Sequence, residues 1–174
     1  MSLPASASTP LPPSWAYQIR VAASQGQFLN AVSLFLQMRA SAAPRSSVPA
    51  SLPAALKCCA ALGLRALGAS LHALAIRSGA FADRFTANAL LNLYCKLPDP
   101  YHHASGTRSP SSGGGVGSTT SECVWKVFDE MPERDVVSWN TLVLTCAEDG
   151  SHQEAVGLVR TMWRDGFRPD SFTL

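Results

Sequence analysis

The cysteines of this sequence give little support to catalysis or to a metal centre. There are five of them, at Cys58, Cys59, Cys95, Cys123 and Cys146. An odd number without Cys-x-x-Cys spacing argues against both a disulfide framework and a zinc ribbon. Free cysteines commonly act as small core residues in a reducing compartment. We therefore expect these five to pack inside the fold.

A glycine cluster and two adjacent histidines could also bind ligands. Residues 113–117 (Gly-Gly-Gly-Val-Gly) lack the following Gly-Lys-Ser/Thr of a phosphate-binding loop, and no predicted strand precedes them. His102 and His103 have no nearby cysteine partners, which disfavours a zinc site. His72 is expected to be a packed helix residue. These residues predict no enzyme activity, no cofactor and no metal.

Two asparagines occupy matching places in the chain. Asn88 opens the run Asn-Ala-Leu-Leu, and Asn140 opens Asn-Thr-Leu-Val in the same register. An asparagine amide carries both a hydrogen-bond donor and an acceptor, whereas an aspartate carboxylate only accepts. Because the two amides occupy equivalent places, the elements that position them should also be equivalent.

Those elements are predicted helices with a recurring apolar stripe. Three segments share the spacing i, i+3, i+4, i+7, which places four side chains on one side of a helix. The stripes are Ala31, Leu34, Phe35 and Met38; Val124, Val127, Phe128 and Met131; and Ala155, Leu158, Val159 and Met162. A second predicted helix precedes each stripe, so the repeating unit is helix, turn, helix, turn. Stacking these units would bury the stripes and produce an all-α solenoid.

Residues 127–142 (Val-Phe-Asp-Glu-Met-Pro-Glu-Arg-Asp-Val-Val-Ser-Trp-Asn-Thr-Leu) resemble plant pentatricopeptide repeat (PPR) proteins of the PLS subclass, which mixes P, L and S repeats. The resemblance implies a right-handed superhelical solenoid of helix-turn-helix repeats. It divides the chain into a leader at 1–11, a degenerate P-like repeat at 12–48, an L-like repeat at 49–83, an S-like repeat at 84–135, a P repeat at 136–170 and the start of another L-like repeat at 171–174.

The S-like repeat and the chain end depart from that pattern. The S-like repeat has 52 residues, and within 97–121 Gly, Ser, Pro and Thr make up 17 of 25 residues. Such a composition does not bury enough apolar surface to offset ordering, so we predict a disordered insertion between two helices. Leu174 ends the sequence at a predicted helix start. The sequence therefore suggests a truncated member of the family.

The resemblance also implies a way of reading RNA, with one base per repeat. The family's reading positions are the fifth residue of the first helix and the last residue of the repeat. They correspond to Asn88 with Asp135 and to Asn140 with Asp170, a pairing that favours uridine in the family. The second repeat positions, Phe85 and Val137, would sandwich a base. Stacking of this kind contributes about 1–3 kcal/mol per base.

A simpler interpretation of these polar residues is helix capping, since Asn and Asp are both common N-caps. Capping and base reading are compatible for Asp135 and Asp170. The first two repeats are weaker readers: Ala16 and Val48 offer no base edge, and the combination of Pro53 with Asp83 has no assigned preference.

Single-stranded organellar RNA, with U favoured at two repeats, is therefore the expected partner, and a role as a recognition factor in RNA processing or editing is the expected function. Editing-complex proteins are expected as further partners, and no association with a membrane is expected. The His-x-Glu and Pro-Cys-x-x-Cys motifs of zinc deaminases are missing. The first acidic residue is Asp83, and an acid-free, Ala- and Ser-rich start favours import into a mitochondrion or chloroplast. The alternatives are a protein-binding scaffold, as in tetratricopeptide stacks, and a non-functional truncated fragment.

Overall fold

The structure is a computed structural model that describes residues 14–41, 43–44, 46–97, 122–171 and 173. These residues form eight α-helices and one short 3-10 helix, without a strand, so the all-α prediction is confirmed. The helices are α1 (Trp15–Ser24), α2 (Phe28–Ala40), α3 (Ser47–Leu62), α4 (Arg65–Ser78), α5 (Arg84–Lys96), α6 (Glu122–Glu130), α7 (Val136–Glu148) and α8 (His152–Arg164), with the 3-10 helix Ala80–Ala82 between α4 and α5.

The predicted leader at 1–11 lies outside the described residues. So does the predicted insertion at 97–121, apart from Leu97, and with it the histidine pair and the glycine cluster. In the part of the chain that the structure describes, no helix has the length and apolar content that crossing a membrane requires.

The helices pack as a series of hairpins. Each odd-numbered helix contacts the next odd-numbered one, so that α1, α3, α5 and α7 follow one another in a row. Each even-numbered helix packs against its partner in the pairs α1–α2, α3–α4, α5–α6 and α7–α8. Stacking of this kind joins each repeat mainly to its neighbours, as in other helical solenoids.

The apolar stripes seen in the sequence form the contacts between these helices. Most stripe residues are buried; Leu34 and Val159 are half-buried and pack against the core. In the last hairpin Trp139 is buried and meets Phe128 edge to face at 4.9 Å between ring centroids. Burial of these side chains supplies the main favourable free energy of folding.

Glycine closes the turn inside the first and last hairpins. Gly26 has a φ of 74° and Gly150 a φ of 79°, a left-handed conformation that is costly for other residues. The following amides return to the helix: Gln27 N–H donates to the carbonyl of Ala22 at 2.9 Å, and Ser151 N–H donates to that of Cys146 at 2.8 Å. This is a standard helix stop, and it lets the second helix start within two residues.

The five cysteines form no disulfide, and each is at least partly buried, as expected. Cys58, Cys59 and Cys146 are buried, and Cys95 and Cys123 are half-buried. Burial raises the pKa of Cys59 and of Cys95 to about 11 in each case. Neutral thiols of this kind behave as small apolar side chains rather than nucleophiles.

His72 is likewise a packed residue, half-buried with its Nδ1 2.8 Å from the Tyr94 hydroxyl. Burial lowers the pKa of this histidine. Across the described residues there is no group of three or more His, Cys, Asp or Glu side chains suited to a metal ion.

Candidate functional site

Asn88 and Asp135 meet at the boundary between the third and fourth hairpins. Asn88 is the fifth residue of α5, and Asp135 is the residue that precedes α7. The Asn88 side-chain amide donates to both carboxylate oxygens of Asp135, at 3.1 Å to Oδ1 and 3.3 Å to Oδ2. The two side chains are 47 positions apart in sequence, and the contact between α5 and α7 brings them together.

Ser138 completes a three-residue network at this boundary. Its N–H donates to Asp135 Oδ1 at 3.0 Å, and its hydroxyl accepts from Asp135 N–H at 3.1 Å, so that Asp135 caps α7 in a reciprocal capping box. The same hydroxyl lies 2.7 Å from Asn88 Oδ1, to which it donates. Ser138 is fully buried. The orientation of the Asn88 amide is therefore fixed from both ends.

Asp135 stays a carboxylate in this setting. Partial burial alone would raise its pKa, but hydrogen bonds from the Ser138 backbone and the Asn88 amide outweigh burial and lower the pKa below its ordinary value. An ionised Asp135 accepts hydrogen bonds and cannot donate one. The amide NH₂ of Asn88 must therefore face it, and a flipped amide is disfavoured.

The same arrangement recurs one repeat later. Asn140, the fifth residue of α7, donates from its amide to Asp170 Oδ1 at 2.9 Å. Thr173 takes the place of Ser138: its hydroxyl accepts from Asp170 N–H at 3.0 Å and donates to Asn140 Oδ1. Two boundaries thus hold an asparagine amide between a carboxylate and a hydroxyl.

A third boundary has the cap but no asparagine. Asp83 caps α5 by accepting from Thr86 N–H and from the Thr86 hydroxyl, both at 3.0 Å to Oδ2. The register position equivalent to Asn88 is Pro53, inside α3, which has no side-chain amide. The Thr86 hydroxyl donates to Asp83 Oδ2. The Ser138 hydroxyl also lies near its own aspartate, 3.1 Å from Asp135 Oδ1, but it is closer to Asn88 Oδ1.

Phe85 and Val137 flank the first asparagine on the exposed side of the odd-numbered helices. Phe85 is 61% exposed and Val137 is 56% exposed, unusual values for large apolar residues. Each lies three positions before its asparagine, so Phe85 shares a face of α5 with Asn88, and Val137 shares a face of α7 with Asn140. The guanidinium of Arg84 lies 5.0 Å from the centroid of the Phe85 ring.

The structure shows which of these polar residues cap a helix. Asp135 caps a helix and also binds an asparagine of the preceding repeat. Asn88 and Asn140 lie inside α5 and α7 and cap neither. Val48 lies in the first turn of α3, so the boundary predicted between residues 48 and 49 falls inside a helix.

Sequence reasoning missed the hydroxyl residues Ser138 and Thr173. A signal for them was present: an aspartate followed three positions later by Ser or Thr occurs at Asp83, Asp135 and Asp170. That pattern predicts a helix N-cap. It does not reveal that the hydroxyl also contacts the preceding repeat, because that contact depends on how the hairpins stack.

The sequence is similar to a known repeat family and to several plant proteins. Residues 137–167 match the family description "PPR repeat". A putative pentatricopeptide repeat-containing protein of Arabidopsis thaliana is 33% identical over 177 residues, covering 92% of this chain and 24% of the relative. A second from the same plant is 32% identical over 160 residues, covering 92% of this chain and 23% of the relative. A third, whose name includes the word mitochondrial, is 34% identical over 123 residues, covering 70% of this chain and 16% of the relative. The chain spans about a quarter of the length of the first two relatives.

Proposed function

We propose that this chain, which carries a pentatricopeptide repeat at residues 137–167, forms part of a solenoid that binds single-stranded RNA with one base per repeat. In this proposal Asn88 with Asp135 and Asn140 with Asp170 each contact one base and favour uridine. We call the two places the Asn88 slot and the Asn140 slot.

The observation that carries the proposal is the fixed orientation of two amides at equivalent boundaries. Asn88 is bound by Asp135 and Ser138, and Asn140 is bound by Asp170 and Thr173. Each amide keeps one N–H and one oxygen lone pair for a ligand. A capping role alone would not require an amide held across the boundary between two hairpins.

The preference for uridine over cytosine and adenine follows from the fixed order of donor and acceptor. The Watson–Crick edge of uracil offers a carbonyl oxygen next to an N–H, which complements an amide that presents a donor and an acceptor in one order. Cytosine and adenine offer the opposite order and would suit a flipped amide, which Asp135 opposes. One well-made pair of this kind discriminates between bases by about 1–3 kcal/mol.

The exposed side chains Phe85 and Val137 supply the stacking surfaces. A base in the Asn88 slot would lie between them, since they belong to adjacent helices on either side of that slot. Stacking on such surfaces contributes about 1–3 kcal/mol per base. Association costs about 4–15 kcal/mol, so with two occupied slots we expect a dissociation constant no better than about micromolar.

The proposed setting is RNA processing or editing in a mitochondrion or chloroplast, with editing-complex proteins as further partners. One of the relatives described above has the word mitochondrial in its name. The proposed repeat boundaries are 12–48, 49–83, 84–135 and 136–170. In this arrangement the two slots lie at the ends of the third and fourth repeats.

The test is direct binding of the purified chain to short RNAs. Oligouridylate should bind more tightly than oligoadenylate, and Asn140→Ala should reduce that preference by about tenfold. The control is Asn30→Ala, which removes an exposed amide of α2 that donates to the side chain of Gln27, three positions earlier. Circular dichroism would establish that both variants keep the helical content of the parent.

Equal binding of all RNAs, or none, by a folded chain would contradict the proposal and favour a protein-binding scaffold. A random-coil spectrum for the parent chain would instead favour a non-functional fragment. High salt should weaken binding to both RNAs without removing the difference between them, because backbone contacts depend strongly on salt.

A further inference from the structure

An opening on the odd-numbered helices lies at the boundary where the asparagine is missing. A groove of about 570 Å³ runs between α1, α3 and the start of α5. Its lining includes Arg20 of α1, Pro53 and Ala54 of α3, and Asp83 and Phe85 at the start of α5. We call it the Pro53 slot. By register it is the equivalent, one repeat earlier, of the Asn88 slot.

The carboxylate in this groove has an unused oxygen. Asp83 Oδ2 accepts both hydrogen bonds from Thr86, while Oδ1 has no hydrogen-bond donor among the described residues. In the Asn88 slot both oxygens of Asp135 are engaged by Asn88. Replacing asparagine by proline therefore leaves a carboxylate oxygen available at the groove.

A guanidinium without a protein partner lines the same groove. Arg20 is exposed, and within the described part of the chain it forms no ion pair and its guanidinium no hydrogen bond. Phe85 also lines the groove, and its ring is exposed, with the guanidinium of Arg84 5.0 Å from the ring centroid. The groove thus combines an anionic acceptor, a cationic donor and a stacking surface.

We propose that the Pro53 slot holds a guanine base of the bound RNA. Guanine carries N–H donors at N1 and N2 on one side and acceptors at O6 and N7 on the other. Asp83 Oδ1 would accept from the N2 amine, and Arg20 would donate to O6 and N7, as arginine commonly does towards guanine. Adenine lacks the donors at N1 and N2, and a pyrimidine has no N7. This inference rests on the proposed RNA binding but assigns a base where no asparagine is present.

The test uses short RNAs that vary one base beside two uridines in an adenosine background. The sequences AAAXUUAAA and AAAUUXAAA place the variable base X on either side, because the direction of the RNA is not assumed. For one of the two series, G at X should bind about five- to tenfold more tightly than A, C or U. The same measurement reports binding through the Asn88 and Asn140 slots.

Two base analogues assign the contacts to single groups. Inosine lacks the N2 amine and should bind less tightly than guanosine to the parent chain, but equally to Asp83→Asn. Asparagine is a good N-cap, so this variant keeps α5 capped. 7-Deazaguanosine lacks N7 and should bind less tightly to the parent but equally to Arg20→Gln. Arg39→Gln, at an exposed arginine of α2, makes the same charge change and should leave the guanosine preference intact.

The outcomes separate this inference from the function it rests on. If RNAs with two uridines bind more tightly than RNAs with adenosines there, but all four bases at X give the same affinity, the Pro53 slot does not hold guanine. The proposal for the two uridine slots would then be unaffected. If no RNA binds, both fall. Guanosine 5′-monophosphate should displace the RNA only at millimolar concentrations, since it lacks the neighbouring bases. Displacement at micromolar concentrations would make the groove a mononucleotide site and overturn the assignment to RNA.

Discussion

The boundaries at Asp83 and Asp135 share the same helix cap but differ in what else the aspartate binds. At both, an aspartate accepts from the N–H of a Ser or Thr three positions later. At Asp135 the carboxylate also binds Asn88 of the preceding repeat, whereas at Asp83 the equivalent position is Pro53 and one oxygen stays open. The cap is the same at both boundaries, whereas the residue from the preceding repeat determines which hydrogen-bonding groups stay available there. Neighbouring slots of one solenoid can therefore differ in chemistry with little change in backbone.

The largest expected contrast is in stability. Asp83→Ala should lower the free energy of unfolding by about 1 kcal/mol, the usual effect of losing a cap. Asp135→Ala should lower it by about 2–3 kcal/mol, because it also leaves the half-buried Asn88 amide without its acceptor. Urea unfolding of the two variants measures the difference. Asp129→Ala, at an exposed carboxylate 3.7 Å from Arg134, is the control and should change stability by about 0.5 kcal/mol or less. Equal losses at Asp83 and Asp135 would show that the bond to Asn88 adds nothing.

Installing the missing amide should convert one slot into the other. Pro53→Asn places an asparagine where register aligns it with Asp83, and it should raise the preference for uridine at the Pro53 slot by about tenfold. Pro53→Ala is the matched control, since both variants remove a proline from inside α3 and restore a backbone N–H at that position. Competition between RNAs with U or G at the variable position measures the change. An asparagine variant that behaves like the alanine variant would mean that register alone does not define a slot.

The hydroxyl of Ser138 should have a smaller effect. Ser138→Ala removes the group that accepts from Asp135 N–H and donates to Asn88, and it should cost about 1 kcal/mol of stability. The preference for uridine should fall severalfold, because the amide loses one of its two restraints. Ser138→Thr restores a hydroxyl, as Thr86 and Thr173 provide at the other boundaries, and should recover the preference. A full preference in the alanine variant would indicate that Asp135 orients the amide unaided.

The smallest expected effect concerns pH. The pKa of Asp135 in the folded chain lies below its ordinary value of 3.8. The stability contributed by this carboxylate is therefore fully present above the unfolded-state pKa and is lost as pH falls through the folded-state value. Between about pH 5 and about pH 3, the parent should lose more stability than Asp135→Asn, which has no carboxylate at this position to be protonated. Parallel pH profiles for the two proteins would contradict this assignment.

The sequence was sufficient for the helices and their pairing because the stripe positions recur with helical spacing and glycines mark the turns. Ala31, Phe35 and Met38 are buried as their periodicity predicts, and Gly26 and Gly150 have the expected left-handed backbone. Local chemistry determines both features, so a single repeat carries the information.

The site was less accessible because its contacts cross from one repeat to the next. The positions of Asn88 and Asp135 came from a family resemblance, and their role in reading bases stays a prediction. The part played by Ser138 depends on the distance between α5 and α7, which no local pattern encodes. The groove at Pro53 was similarly hidden, since it requires Arg20, two repeat boundaries away from Phe85, to line the same space.

The bonds that join Asn88 to Asp135 and Ser138 also bear on how such chains could be recombined. Each slot draws its amide from one repeat and its hydroxyl from the next, so a chimera spliced between residues 135 and 136 would separate groups that must match. A splice at the turn around Gly150 would likewise separate Asn140 from Asp170 and Thr173, to which it is hydrogen-bonded. Because the groups of one slot extend from the first helix of one hairpin to the first turn of the next, a slot stays intact only when the two neighbouring hairpins that form it are exchanged together.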